Sequence, residues 1–345
     1  MHKTGNEGGN SMRTVIRSLI VAAVAASGLA FAATASARTH VKFQLNWYAG
    51  GANAGFAAAL EEGYYKDAGL DVTIIQGNGS AITAQLVASG QAQVAYADAV
   101  SVSQLIAKGA PMKIVATVYE SNPDEVEALT KSGITSIADL KGKRIGVPAG
   151  SSQVSMLPLF YEANHLKPSD IIQLNMPPAS MVPALLEGRV DAILGSVDDY
   201  GIQIAALGGK YNRFMFADHG VPTVSTSIFA RDSYIKQHPD TLRKFIAASL
   251  KGWTFALEHQ AKAVADLKAA FPDVDTKLAA AQLAAIPPLF CSGGTKYIGK
   301  ATPAHWELTE KLLSEVGLLP AGKDPTIYYT NEFLPPDSEL QACKG

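Results

Sequence analysis

Polar and aromatic side chains follow the first strand-like stretch of this sequence. Residues 41–47 alternate apolar with polar, which is the pattern of a half-buried strand, and they run into Asn46, Trp47 and Tyr48. The Asn46 amide both donates and accepts hydrogen bonds, and the two rings can stack on a flat molecule. Ligands of open α/β sheets bind outside the carboxyl ends of strands, so these three residues are candidate ligand contacts. Ordinary core packing is the alternative for Trp47.

Two loops rich in glycine and serine form a second group of candidates. Each loop, 77–80 and 150–152, precedes a predicted helix. Exposed amides and the positive end of the helix dipole favour an anionic or carbonyl group at such a place. N-capping explains Ser80, Ser151 and Ser152 as well, so the sequence leaves both roles open.

Acidic and hydroxyl residues follow two further apolar runs. Asp98 follows the run 94–97, and a group of four residues follows the run 191–194. A carboxylate at such a strand end accepts hydrogen bonds from ring amino or amide groups, whereas N-capping is the alternative for Asp198. The four residues are Ser196, Asp198, Asp199 and Tyr200.

Signatures of catalysis and of metal binding are absent from the sequence. It contains no H-E-x-x-H, G-x-S-x-G or Walker sequence, and its seven histidines have no metal-ligand spacing. We therefore expect no catalytic residue, no metal and no cofactor.

Strand and helix signals alternate along the chain and would position these candidates. Predicted strands cover 41–47, 70–75, 94–97, 113–118, 144–147, 171–174 and 191–194, with helices between most of them. This order indicates βαβ units with a largely parallel sheet. A weak internal repeat links LVASG and VAYAD at 86–98 to LLEG and AILGS at 185–196, which favours two similar α/β lobes. From residue 233 the chain reads as helices packed over a lobe.

The N-terminus has the pattern of a secretory signal peptide. Arg13 and Arg17 precede an apolar run, 19–33, which is followed by Ala35-Ser36-Ala37. The run is shorter than the roughly 20 residues of a membrane-spanning helix, so we expect export to the periplasm and cleavage after Ala37.

Charge and cysteine content narrow the remaining possibilities. Without residues 1–37 the chain keeps 26 basic and 30 acidic residues, which gives no support to nucleic-acid binding. The two cysteines, Cys291 and Cys343, both follow the cleavage site, and an oxidising compartment favours a disulfide between them over two free thiols.

Several segments resemble those of one protein family. LNWY at 45–48 and GFAAALEEGYYKDAGLDV at 55–72 are similar to the start of periplasmic binding proteins related to thiamine-pyrimidine synthases. IADLKGKRIGV at 137–147 and EGRVDA at 187–192 also resemble the sulfonate, taurine and nitrate binding proteins. The resemblance covers the chain after residue 37.

This resemblance implies a type II periplasmic binding fold, with two α/β lobes, two crossing strands and a ligand cleft. Lobe 1 would comprise residues 38–119 and 226–345, and lobe 2 residues 120–225. Tyr119 and Glu120 would lie at the first crossing, where they contact ligand or only shape the crossing. In relatives that bind thiamine pyrimidines an acidic residue lies near 198–200, but VDDY departs from their aromatic-rich sequence.

The function implied is that of a monomeric solute-binding protein of an ABC importer. Its partners would be a small heteroaromatic ligand, such as a pyrimidine precursor of thiamine, and the permease with its ATPase. Sulfonate, taurine, nitrate, riboflavin-like compounds and aromatic acids stay open as ligands. A second interpretation is the thiamine-pyrimidine-synthesising enzyme, which uses a histidine, pyridoxal phosphate and a cysteine-rich motif; the export signal and the single cysteine in the comparable stretch oppose it.

Overall fold

The computed structural model describes residues 1–2 and 38–343. The predicted signal peptide and its cleavage site lie outside the described residues. Within them, no helix combines the length and apolar character that crossing a membrane requires.

The first sheet contains five strands, all within residues 38–343. They are β1 (Thr39–Gln44), β2 (Leu70–Ile75), β3 (Val94–Asp98), β4 (Met112–Thr117) and β10 (Thr226–Arg231), in the spatial order β2-β1-β3-β10-β4. β1 pairs in parallel with β2 and β3, whereas β10 is antiparallel to both of its neighbours. Every residue of β3 is buried, as expected for a central strand with helices on both faces.

The second sheet repeats this arrangement with the strands between β4 and β10. They are β5 (Asp124–Leu129), β6 (Arg144–Pro148), β7 (Ile172–Met176), β8 (Ala192–Ser196) and β9 (Tyr211–Met215), in the order β7-β6-β8-β5-β9. β6 is parallel to β7 and β8, and β5 is antiparallel to β8 and β9. β3 and β8 therefore hold equivalent positions, so the internal repeat of the sequence coincides with equivalent elements of the two sheets.

Helices cover the sheets and connect their parallel strands. Within the described chain they are α1 (Ala54–Glu61), α2 (Tyr64–Asp67), α3 (Ser80–Ala88), α4 (Ala99–Ala107), α5 (Ser152–Ala163), α6 (Met181–Leu186), α7 (Tyr200–Ala206), α8 (Asp232–Gln237), α9 (Pro239–Glu258), α10 (Gln260–Ala270), α11 (Thr276–Ala285), α12 (Pro287–Phe290) and α13 (Pro303–Glu315).

The longest helix, α9, shows why the C-terminal part of the chain packs on the first sheet. It begins at Pro239, whose missing N–H is not needed at that position. Leu242, Phe245 and Trp253 point into the core, and Phe245 lies 4.9 Å, centroid to centroid, from Phe43 of β1. This apolar stripe fixes α9 against the sheet that also positions Asn46 and Trp47.

The chain passes from one sheet to the other twice, between β4 and β5 and between β9 and β10. The predicted lobe boundaries, 119/120 and 225/226, fall in or beside these passages. Each sheet with its helices would be one lobe, and the division into two lobes that move relative to each other stays a prediction. His305 of α13 contacts both passages, with Nδ1 3.1 Å from Glu120 Oε2 and Nε2 3.1 Å from Pro222 O.

A disulfide joins Cys291 to Cys343, the pairing expected from the sequence. It attaches the last described residues to the loop after α12. Hydrogen bonds from the Cys343 N–H to Lys296 O and from the Ile298 N–H to Gln341 O hold the same two segments together.

Candidate functional site

A cleft of about 730 Å³, measured to its open mouth, receives residues that follow strands of both sheets. With the exception of Asp98, every sequence-predicted ligand residue lines it. These residues are Asn46, Trp47, Tyr48, Ser80, Tyr119, Ser151, Ser152, Ser196, Asp198, Asp199 and Tyr200.

Asn46 and Ser80 are positioned by the loops after β1 and β2. The Asn46 side-chain amide donates to Ser80 Oγ at 3.3 Å, and the Asn46 carbonyl accepts from the Gly79 N–H at 2.6 Å. Ser80 Oγ also accepts from the Asp98 N–H. Ser80 is the first residue of α3 and Gly79 is its N-cap, so of the two roles left open by the sequence the structure does not show N-capping by Ser80.

The two halves of the cleft touch directly at Gly79. Gly79 has a φ of 134°, and a Cβ added there would lie 2.3 Å from the carbonyl oxygen of Gly150. The same oxygen accepts a hydrogen bond from the Ala81 N–H at 3.0 Å. This close approach of α3 to the loop before α5 requires glycine at 79.

Trp47 connects the first sheet to the loop after β8. Its indole Nε1 donates to Asp199 Oδ2 at 2.9 Å, and its ring packs against the apolar cluster that contains Met181 and Tyr200. The Gln203 side chain donates to Asp199 Oδ1 at 2.7 Å, so both oxygens of this carboxylate are used. This hydrogen bond joins the loop after β1 to the loop after β8 within the cleft lining.

Tyr96 of β3 and Tyr119 of the passage after β4 border the cleft, and their rings are almost fully buried. Their rings meet edge to face at 6.4 Å, and Tyr96 also packs on Phe56. Tyr119 is fixed from behind by Phe290, 5.1 Å away, and its hydroxyl donates to Ala52 O at 3.4 Å. These rings are held by the core, so their orientation does not depend on a ligand.

Asp124, the first residue of β5, forms an acidic corner with the start of α5. Its Oδ1 accepts from Ser152 Oγ at 3.1 Å and from Gln153 Nε2 at 2.9 Å, whereas its Oδ2 has no partner. Burial, together with the charges of Asp98 and Asp198, raises the Asp124 pKa well above its usual value. An unpaired buried carboxyl oxygen is costly unless another molecule supplies a donor.

Asp198 and Asp199 form the opposite acidic group after β8. Ser196 Oγ donates to Asp198 Oδ1, and burial raises the pKa of Asp198. For Asp199, burial first and the Asp198 charge second raise the pKa to about 7. The N-cap of α7 is Asp199 and its side chain makes no cap bond, so the structure does not show N-capping by Asp198.

Several buried polar atoms of the cleft lining have no hydrogen-bond partner within the described chain. Ser151 occupies the N-cap position of α5, yet its hydroxyl makes no cap bond. Most buried polar groups in proteins are paired, so an unpaired group that borders a cleft can be satisfied by a ligand. The atoms are Tyr96 Oη, Asp124 Oδ2, Ser151 Oγ, Gln153 Oε1 and Tyr200 Oη.

Asp98 and Glu120 have structural roles outside the lining. Asp98 is the N-cap of α4, where Oδ1 accepts from the N–H groups of Val100 and Ser101, and its Oδ2 accepts from Ser225 Oγ. We therefore correct the expectation that Asp98 faces the ligand. Glu120 bonds His305 and shapes the crossing.

Several lining residues were not predicted from the sequence, among them Asn53, Tyr96, Asp124, Gln153 and Gln282. Gln282 lies on α11, far along the chain, and its Oε1 accepts from the Gly51 N–H at 2.8 Å. Tyr96 lies inside β3 rather than after it. Of these residues, Gln153 alone could have been predicted from the sequence, because it directly follows the predicted ligand residue Ser152.

Charge limits what the cleft can bind. Among the described residues that line it, none is lysine, arginine or histidine, whereas three are aspartates. No group of three metal-ligating side chains occurs in the part of the chain that the structure describes. The arrangement favours a flat molecule that donates hydrogen bonds and disfavours an anion.

The family described as NMT1/THI5 like matches residues 52–263, which include most of the cleft residues. The chain belongs to this family.

Among the curated relatives of this chain are one named for thiamine biosynthesis and two named for the ligand that they bind. The putative thiamine biosynthesis protein of Haemophilus influenzae is 27% identical over 61% of this chain and 66% of its own length. The riboflavin-binding protein RibY of Chloroflexus aurantiacus is 27% identical over 81% of this chain and 82% of its own length. The formylaminopyrimidine-binding protein of Halalkalibacterium halodurans is 26% identical over 65% and 68%.

Solved structures share the fold. The alkanesulfonate-binding protein SsuA of Xanthomonas axonopodis pv. citri superposes with a TM-score of 0.65 at 17% identity, over 86% of this chain and 98% of its own. The periplasmic nitrate-binding protein NrtA of Synechocystis gives a TM-score of 0.63 at 14% identity, over 86% and 87%. The chain has the type II periplasmic binding fold, as the resemblance implied.

Proposed function

We propose that this protein is the solute-binding component of an ABC importer and that it works in the periplasm. Its ligand would be a small heteroaromatic molecule, with a pyrimidine precursor of thiamine as the first candidate. The permease and its ATPase in the inner membrane would receive the ligand. The proposal depends on one observation, which is that a single cleft receives side chains from loops after strands of both sheets.

The chemistry of the cleft supports a flat, hydrogen-bonding ligand. Trp47 and Tyr48 supply aromatic surface against which a ring can pack, and the nearly buried rings of Tyr96, Tyr119 and Tyr200 border the cleft. The unpaired oxygens of the lining accept hydrogen bonds from ring amino groups. The formylaminopyrimidine-binding relative has a name that fits this chemistry.

The alternative ligands are separated by charge. Sulfonate, taurine, nitrate and aromatic acids carry a negative group, and no cation among the described lining residues would neutralise it. A riboflavin-like compound carries no such charge, and the alignment with RibY covers most of both chains. Riboflavin is therefore the second candidate.

The enzyme alternative lacks the side chains that it needs. In the described lining there is no histidine for the reaction and no lysine for a covalent bond to pyridoxal phosphate. Cys291 is bonded to Cys343 and is not available as a thiol. We propose that the protein binds its ligand without changing it.

Ligand capture would use closure of the two lobes. A ligand that contacts both halves of the cleft binds the closed form better than the open form, and this difference supplies the free energy of closure. The contact between Trp47 and Asp199 then closes the mouth.

The proposal is tested on full-length protein purified from the periplasm without denaturation. Native mass spectrometry should detect one retained small molecule per chain, with the mass of an aminopyrimidine or of a flavin. After removal of this molecule, small-angle scattering should show a smaller radius of gyration when it is added back. A protein that retains no small molecule and does not contract with either compound contradicts the proposal.

A further inference from the structure

The charge balance around the cleft is one-sided. Asp124, Asp198 and Asp199 line it, and within the described chain no lysine, arginine or histidine does. Arg213 pairs with Glu125 of β5, with its Nε 2.9 Å from Glu125 Oε2. Neither residue lines the cleft. The carboxyl groups of the cleft therefore have no protein cation against them.

The environment of Asp124 defines what its missing partner must be. The side chain is 2% exposed, and both of its protein donors, Ser152 Oγ and Gln153 Nε2, bind the same oxygen, Oδ1. Oδ2 is unpaired, as is the neighbouring acceptor Gln153 Oε1. Two acceptors at one corner need N–H or O–H donors, and a charged donor gives the stronger bond to a carboxylate.

The aromatic surface of the cleft favours the same sign of charge. Trp47 and Tyr200 lie on the side of Asp199, and Tyr96 and Tyr119 lie near Asp198. The faces of such rings attract cations, and this attraction grows when the cation is shielded from water. The rings and the carboxyl groups of the cleft therefore both favour a positively charged ligand.

We propose that the ligand binds as a cation, with an N–H-bearing group at Asp124 Oδ2, and that this corner selects positively charged heteroaromatic amines over neutral and anionic analogues. This inference rests on the proposed function, because it assigns a charge class to the ligand of the same cleft.

Binding of a cation would be coupled to proton release. Asp98, Asp198 and Glu125 face Asp124, while Asp198, Glu127 and Tyr200 lie near Asp199, so the carboxyl groups repel one another when ionised. Burial and this repulsion raise the pKa of Asp199 to about 7 and the pKa of Asp124 well above its usual value, so the empty cleft holds protons near neutral pH. A cation stabilises the ionised groups, and its affinity should therefore rise with pH.

Three probes with one ring test the charge preference by calorimetry at pH 7.5. Each has a 4-amino-2-methylpyrimidine ring, which carries at C5 an aminomethyl group (cation), a hydroxymethyl group (neutral) or a carboxyl group (anion). The wild-type protein should bind the aminomethyl probe at least tenfold more tightly than the hydroxymethyl probe and should not detectably bind the carboxylate. Its affinity for the aminomethyl probe should be at least tenfold higher at pH 8 than at pH 5.5.

The Asp124→Asn variant tests whether the preference for the cationic probe depends on the Asp124 carboxyl group. It should lose at least tenfold of the preference for the aminomethyl probe, whereas the control Asp71→Asn, which removes an exposed carboxyl on β2, should keep it. The wild-type pH dependence needs no variant and decides the question if Asp124→Asn fails to fold.

The outcomes separate the two proposals. A wild-type protein that binds the hydroxymethyl or carboxylate probe as tightly as the aminomethyl probe overturns the charge inference and leaves solute binding intact. An unchanged preference in a folded Asp124→Asn variant also overturns it. If the wild type binds no probe and retains no small molecule from the periplasm, the proposed function fails, and the charge inference fails with it.

Discussion

The indole Nε1 of Trp47 donates a hydrogen bond to Asp199 Oδ2 at 2.9 Å, and these residues follow strands of different sheets. They are 152 positions apart in the sequence. Sequence reasoning selected both as ligand contacts without relating them to each other. Their bond shows that residues which line the cleft can also join its two sides.

Replacement of Trp47 by phenylalanine should weaken ligand binding. The variant keeps an aromatic ring but removes the donor to Asp199, and a hydrogen bond to a charged group contributes about 1.5–3 kcal/mol. We expect the affinity for the aminomethyl pyrimidine probe to fall roughly tenfold to a hundredfold in calorimetry. Trp306→Phe is the matched control, because Trp306 packs on Tyr329 away from the cleft. A Trp47→Phe protein with wild-type affinity would show that the bond does not contribute to capture.

The stability of the ligand-free protein should fall as the pH rises from about 4 to about 7. Burial raises the pKa of Asp199 to about 7 and that of Asp98 to about 6, above the value of about 3.9 in an unfolded chain. The folded state therefore holds these protons more tightly, and its stability decreases until the pH passes the folded pKa. Each unit of pKa shift corresponds to about 1.4 kcal/mol.

Urea unfolding at pH 4.5 and 7.5 measures this dependence. The Asp199→Asn variant should show a smaller decrease than the wild type. Asp191→Asn should match the wild type across this range, because Arg144 lowers the pKa of Asp191 and its contribution changes only below about pH 4. A wild-type protein that gains stability between pH 4.5 and 7.5 contradicts the assignment.

The strand–helix order from β1 to β8 followed from the sequence with the exception of β5, and β9 and β10 were not predicted either. Asn46, Ser151 and Asp199 were predicted because each follows an apolar run or opens a helix. β5 was missed because Glu125 and Glu127 are buried within it, although buried strands normally consist of apolar residues. Asp124 was lost together with this strand.

Other parts of the lining depend on distances that no local pattern reports. Gln282 reaches the cleft because α11 packs beside the loop at Gly51, and this contact spans 231 positions. Asp98 was placed in the cleft because it ends β3, yet its carboxyl turns back to cap α4. The end of a strand predicts position, but the hydrogen bonds of the side chain decide its direction.

Removal of the Asp98 carboxyl should reduce stability while the preference of the cleft for the cationic probe persists, because Asp98 does not line the cleft and its charge only opposes the ionisation of Asp124. Asp98→Ala leaves the N–H groups of Val100 and Ser101 without their acceptor, so we expect a loss of about 1–2 kcal/mol. Asp98→Asn should lose less, because asparagine is an equally good N-cap. Urea unfolding gives the first result, and the ratio of affinities for the charged and neutral probes gives the second. If the Asp98→Asn variant binds the charged and neutral probes equally well, Asp98 contributes to the ligand site after all.

Reduction of the disulfide should lower stability and leave ligand affinity unchanged. Cys291 and Cys343 are 52 positions apart, and closure of a loop of this length stabilises the folded state by about 4 kcal/mol in the chain-entropy description. The Cys291→Ser/Cys343→Ser variant should therefore melt at a lower temperature than the oxidised protein. The reduced wild-type protein should melt with the variant. Equal melting temperatures with and without reductant would contradict a stabilising role.

His305 should stabilise the two crossings as a unit with Glu120. Its Nε2 faces the carbonyl oxygen of Pro222, which only accepts, so Nε2 carries a proton, and its Nδ1 bonds the buried Glu120 carboxyl. Burial raises the pKa of Glu120, whereas the bond to His305 lowers it. His305→Ala leaves that carboxyl alone in the interior, and we expect a loss of about 3–5 kcal/mol of stability.

A double-mutant cycle distinguishes this pairing from independent packing. Glu120→Gln removes the charge that His305→Ala would leave unpaired, so the double variant should be more stable than the sum of the single losses predicts, by at least about 1 kcal/mol. Strictly additive losses in urea unfolding would show that His305 fills space beside the crossings without pairing with Glu120. The coupled result would show that α13 pairs with the first passage through Glu120, and the other nitrogen of the same ring lies 3.1 Å from Pro222 O in the second passage.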